Sequence, residues 1–153
     1  MITLKTRSAA ETKSLGEKIG KKLQGGEVIA LTGELGAGKT CLTQGLALGL
    51  GVNPQEYVTS PSFNLIKEYR GRFPLYHLDI FRLNGREELE DLGYEEYFYG
   101  EGITVIEWAE KAEGLLPVAH LCIELSVLNK NGRQIRIKPF GRHYREILKG
   151  MER

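Results

Sequence analysis

Apolar positions alternate between strand and helix spacing through the first half of the chain. Residues 2–5 read as a short strand, and Ser8 with Glu11 forms a capping box for a helix whose apolar face is Leu15, Ile19 and Leu23. Gly25 and Gly26 end that helix. Residues 27–32 are a nearly continuous apolar run, the pattern of a strand covered on both faces. The spacing then predicts a helix over residues 39–50, with Leu42, Leu46 and Leu50 on one side and Gly51 and Pro54 beyond its end. A loop containing Ser60 and Pro61 follows.

The second half brings hairpins into the pattern. Residues 65–69 and 75–81 are two strands joined across Arg70, Gly71 and Arg72. An acidic helix over 86–97 is interrupted in propensity by Gly93, and residues 103–108 form another buried strand. Leu121, Ile123, Leu125 and Val127 alternate with a second face, and Ile135 and Ile137 answer them across a turn at 129–132. A short basic helix over 142–149 comes last. With no repeat or linker between these elements, the expectation is one α/β domain over residues 1–153. Its central sheet is mixed and largely parallel, flanked by helices, with a C-terminal β-hairpin.

Composition adds little to this and charge adds more. A chain of 153 residues buries enough surface to fold without a metal or disulfide. Cys41 and Cys122 have no ligand spacing around them and read as core residues of a reduced compartment. The first dozen residues lack a signal-peptide core, and no apolar run approaches the roughly 18 residues of a membrane span. A cytoplasmic protein with no membrane association is expected. The net charge is only +1, but its distribution is uneven. Acids dominate residues 86–113 and bases dominate 130–149, which predicts separate acidic and basic stretches.

Gly33, Glu34, Leu35, Gly36, Ala37, Gly38, Lys39 and Thr40 match G-x-x-x-x-G-K-[ST] in full, between a buried strand and an amphipathic helix. Glycines permit a tight loop whose N–H groups converge on phosphate oxygens, and the helix N-terminus adds partial positive charge. Lys39 is expected on the β and γ phosphates and the Thr40 hydroxyl on Mg²⁺. Two carboxylates lie at strand ends, Asp79 and Glu107, and either suits Mg²⁺ or the attacking water. His77, two residues before Asp79, reads as a core or supporting histidine. Asn129-Lys130-Asn131-Gly132 begins like the N-K-x-D sequence of guanine-specific GTPases but lacks the Asp, so it reads as a turn and favours ATP over GTP.

These residues resemble the bacterial ATPase subunit of tRNA threonylcarbamoyladenosine synthesis, the TsaE or YjeE family. The likeness rests on GELGAGKT from Gly33, TSPSF from Thr59, YHLDIFRL from Tyr76, LGYEEYF from Leu92 and VIEWAEK from Val105, in that order. It implies an ATP-driven accessory subunit that docks on a transferase and its dimerisation partner. The transferase places threonylcarbamoyl on the adenosine beside anticodons that read ANN codons. Carried onto this chain, the resemblance implies a nucleotide set of Glu34, Leu35, Gly36, Ala37, Gly38, Lys39, Thr40, Cys41 and Trp108. Thr40, Asp79 and Glu107 are the metal group, and Lys39, Asp79 and Glu107 the catalytic one. Thr59, Ser60 and Ser62 resemble a nucleotide-sensing loop.

Cys41, Gln44 and Ala109 depart from that pattern, standing where threonine, a basic residue and proline are frequent. Trp108 reads either as a core anchor or as packing for adenine. The C-terminal bases suggest contact with tRNA or an acidic partner. Two rival activities share the phosphate loop: a small-molecule or nucleoside kinase, and a binding module ordered by ATP that hydrolyses it slowly.

Overall fold

The computed structural model describes residues 1–34, 36–56, 58, 59, 66–80, 86–112 and 114–151. Seven strands form one sheet: β1 (Ile2–Thr6), β2 (Val28–Thr32), β3 (Ile66–Arg70), β4 (Pro74–Asp79), β5 (Ile103–Glu107), β6 (His120–Val127) and β7 (Arg133–Phe140). Their order is β1-β7-β6-β2-β5-β4-β3. The centre, β6-β2-β5-β4, is parallel, and each flank is closed by antiparallel pairs. The mixed sheet with a parallel centre therefore forms as expected, and the C-terminal hairpin β6–β7 is built into it.

On one face lie α1 (Ala9–Lys22), α2 (Lys39–Gly49) and α5 (Arg142–Ile147). On the other lie α3 (Arg86–Asp91), α4 (Tyr94–Phe98) and the 3-10 turn Ala109–Ala112. Alternation along β2 serves both layers. Ile29 and Leu31 join the α1/α2 core, whereas Val28 and Ala30 join the other. Full burial of each large aliphatic side chain here contributes about 1.5–3 kcal/mol, so the sheet centre is the main source of cohesion.

Ser8 caps α1 as expected, its Oγ accepting the Glu11 N–H at 3.1 Å. The Glu11 carboxylate reaches one residue further back than an ideal capping box and accepts the Arg7 N–H at 2.9 Å. Helices α1 and α2 meet through paired small-residue faces, Gly16 and Gly20 on one and Gly45 and Gly49 on the other. A Cβ on Gly45 would lie 2.0 Å from the Lys13 carbonyl oxygen, and one on Gly49 would lie 2.3 Å from that of Glu17. Gly45→Ala must therefore push the helices apart. Overpacking of this kind costs about 1–3 kcal/mol, and the expected result is a lowered unfolding midpoint in denaturant.

Three expectations are corrected. Glu27 does not open β2. It is buried beneath the turn, where its carboxylate accepts the N–H groups of Gln24 and Gly25 and pairs with His143 Nε2 at 2.7 Å. The acidic helix is two helices, because Gly93 adopts φ +72° and starts α4 in a new direction. The strand expected over 103–108 stops at Glu107, because Trp108 takes φ +61°. Leu65 and Phe81, at the edges of the first expected hairpin, lie outside the described residues.

Candidate functional site

The parallel strands β2, β4 and β5 end together, and the phosphate-type loop leaves the first of them. Gly33 follows β2 with φ +146°, and a Cβ there would lie 2.6 Å from the Leu125 carbonyl of neighbouring β6. Only glycine lets the loop start so close to that strand. The buried Ala37 donates its N–H to Glu34 O at 3.0 Å, and Gly38, at φ +102°, is the N-cap of α2. No side chain caps this helix and no acid occupies its first turn, so its N-terminal N–H groups keep their partial positive charge for an anion. Leu35 lies outside the described residues.

Lys39 is the first residue of α2, and its side chain is buried. The ammonium donates to Gly33 O and lies 3.6 Å from the centroid of the Trp108 ring. Burial lowers its pKa below the ordinary lysine range, opposed by the carboxylates of Glu107, Glu110 and Asp79. A desolvated ammonium surrounded by acids gains when a phosphate takes up its donors. Thr40 follows, half-buried, and Thr43 ties the first turn down by donating to Lys39 O at 2.8 Å.

Asp79 and Glu107 are register partners at the ends of β4 and β5. Facing pairs across a parallel ladder share a side of the sheet, here the α1/α2 side that holds the loop. Asp79 is half-buried, whereas Glu107 is 2% exposed and bonded to Nε2 of the buried His77. His77 is thus the supporting histidine the sequence suggested, and its Nδ1 is a buried polar atom lacking a hydrogen-bond partner. Trp108 packs at the edge of the second core, as an anchor does, and its ring also faces the Lys39 ammonium. A non-glycine residue in the left-handed region costs about 1–2 kcal/mol, so its placement over Lys39 is held by its surroundings.

Cys41 and Cys122 are half-buried, not core residues. The Cys41 thiol donates to Ala9 O at 3.2 Å and its pKa is raised by burial, so it is no ready thiolate. Cys41 lines a cleft of about 150 Å³ between Ala9, Gly38 and the hairpin residues Lys130 and Asn131. The segment at 129–132 is a turn, as expected, with Asn129 Oδ1 accepting the N–H groups of Asn131 and Gly132. Gln44 donates to Val58 O at 3.0 Å, and Lys67 donates to the Thr59 hydroxyl at 2.5 Å. These contacts fix the entry to the expected sensing loop, whose Ser60 and Ser62 lie outside the described residues.

Arg133 escaped the sequence reading, which counted it only among the C-terminal bases. Its guanidinium donates to the carbonyls of Gly36 and Ala37 in the loop, each at 3.1 Å, and to Gly132 O at 2.8 Å. No spacing rule links residues so far apart in sequence; the hairpin register does.

Among the described residues, no cluster of three or more His, Cys, Asp or Glu side chains is arranged to hold a metal, and no helix is long and apolar enough to cross a membrane. Comparison with known proteins agrees with the sheet architecture. A family model described as threonylcarbamoyl adenosine biosynthesis protein TsaE matches residues 6–135. The tRNA threonylcarbamoyladenosine biosynthesis protein TsaE of Treponema pallidum is 46% identical over 132 residues, which is 86% of this chain and 96% of that one. The Bacillus subtilis protein of the same name is 39% identical over 150 residues, covering 97% and 92%. The crystal structure of Bacillus subtilis YdiB superposes with a TM-score of 0.84 at 35% identity, covering 97% of this chain and 91% of that one. On a family match through most of its length and relatives of nearly its own size, the chain belongs to the TsaE family of tRNA threonylcarbamoyladenosine biosynthesis proteins.

Proposed function

We propose that this chain binds Mg-ATP in the loop from Gly33 to Thr40 and hydrolyses it as an accessory subunit for threonylcarbamoyl transfer to tRNA. The observation that carries the reading is the meeting of three features at one end of the sheet. These are an uncapped helix N-terminus, a buried lysine, and two carboxylates in register at adjacent strand ends. Lys39 would hold the β and γ phosphates, with the Thr40 hydroxyl and Asp79 on Mg²⁺. Glu107, held by His77, would orient water or support the metal. The donor set fits the ion, since Mg²⁺ takes hard oxygens and keeps several waters that carboxylates can hold. Bound Mg²⁺ supplies charge that offsets the β and γ phosphate oxygens.

Against the kinase reading, the decisive observation is where the γ phosphate goes. With γ-labelled ATP and the cytoplasmic small-molecule pool, label should pass to water as inorganic phosphate. A labelled organic product would make the chain a kinase.

The remaining parts of the reading are a single cytoplasmic domain acting with a transferase and that transferase's dimerisation partner. The expected charge separation supports two contact surfaces. Exposed acids lie along α3 and α4, while α5 brings its bases beside α1, where Lys22 Nζ donates to Lys149 O at 2.7 Å. That basic region lies at the opposite end of the sheet from the phosphate loop, and tRNA or an acidic partner surface suits it. Neutralising Arg142 and Arg145 together should weaken association with tRNA or the partner complex at fixed salt, as measured by equilibrium titration. Unchanged affinity would remove this contact.

A further inference from the structure

We propose that Arg133 is a positioning residue that pre-forms the phosphate loop by holding its carbonyls outward, an inference that rests on the nucleotide-binding reading above. The geometry is that of one guanidinium between two turns. Nε donates to Ala37 O and Nη2 to Gly36 O, each at 3.1 Å. Nη1 faces the hairpin turn, donating to Gly132 O at 2.8 Å and Asn129 O at 3.2 Å, with Lys130 O at 3.5 Å. Arg133 is half-buried and is the first residue of β7, paired with Val127 across the hairpin, so its backbone is set by the sheet.

The consequence follows from peptide planarity. The described peptides are all trans, so a carbonyl turned toward Arg133 turns the N–H of the same peptide away from it. The affected N–H groups are that of Ala37, which in this structure is taken up by Glu34 O at 3.0 Å inside the loop, and that of Gly38 at the N-cap of α2. A loop that binds phosphate needs its N–H groups inward and its carbonyls outward, yet peptides flanked by glycines at φ +80° and +102° can flip at little cost. Two charge-assisted hydrogen bonds from a rigid fork select one orientation before the anion arrives. A lysine has the same charge but no planar fork, and it cannot bridge Gly36, Ala37 and Gly132 together.

The test compares Arg133→Ala and Arg133→Lys with the parent in two measurements. The first is amide hydrogen exchange without nucleotide. Both variants should exchange faster at residues 36–40, with β2 and the second half of α2 unchanged. The second is calorimetric binding of ATP and of inorganic tripolyphosphate, which has no base or sugar. Both ligands should weaken by the same factor, at least about tenfold, the scale of one charge-assisted hydrogen bond. Unchanged exchange in the loop would overturn the proposal. So would a loss confined to ATP, which would place Arg133 on the base or sugar, or full rescue by lysine, which would reduce its role to charge. The lysine variant keeps the test open if the alanine variant does not fold. If the parent bound neither ligand, the nucleotide reading would fail, while hydrogen exchange would still decide whether Arg133 orders the loop.

Discussion

Lys39→Ala should remove nearly all ATP hydrolysis, a fall of at least about 10²–10³-fold, the scale of losing one preorganised charge at a phosphoryl site. Its unfolding midpoint should stay near that of the parent. The two effects separate because of what the side chain touches. Its ammonium meets Gly33 O and the face of Trp108, and its burial lowers its pKa. Placing that charge there costs desolvation energy in the nucleotide-free protein, so its removal returns part of what the lost contacts give up. Stability and turnover measured on the same preparation check this. Hydrolysis at the parent rate would end the proposed mechanism, and a collapse of stability would show that Lys39 serves the core.

Asp79→Asn and Glu107→Gln should fail in different ways. Each removes one charge and preserves size. Asp79 is the more accessible acid, and Glu107 is almost fully buried and committed at one oxygen to His77. A hard octahedral ion with its waters needs the accessible acid more. Asp79→Asn is therefore expected to raise the Mg²⁺ concentration for half-maximal ATP binding by about tenfold or more, the loss of one charge-assisted contact. A glutamine at 107 can still accept from His77, so Glu107→Gln should leave that concentration nearly unchanged. It should slow turnover by about 10²-fold, as loss of a group acting on water does. Magnesium titrations of nucleotide binding, with turnover at saturating metal, separate the two. A larger Mg²⁺ shift for Glu107→Gln, with none for Asp79→Asn, would exchange the roles.

Much of this site was legible because its chemistry lies in short segments. The loop motif sits between a buried strand and an amphipathic helix, and both acids end strands whose apolar patterns are plain. Register was not legible. Nothing in the spacing of 79 and 107 says that they face one another, because that depends on β4 and β5 pairing in parallel. Trp108 was misread because an apolar residue after an apolar run looks like more strand, and a left-handed tryptophan has no sequence signature. The glycines at 16, 20, 45 and 49 were visible as spacing, but a reading that follows only apolar residues passes over small ones. Arg133 is the clearest limit. Its role depends on a hairpin of one strand pair reaching a loop nearly a hundred residues earlier, and in sequence it is one base among several.

The most direct test of the accessory ATPase reading is single-turnover hydrolysis of Mg-ATP by the whole chain, measured alone and with the transferase and its dimerisation partner. Slow hydrolysis alone that accelerates when the partners are added, with all label released as inorganic phosphate, is the expected result. A rate that the partners leave unchanged, or that rises only with a small-molecule acceptor, would contradict it.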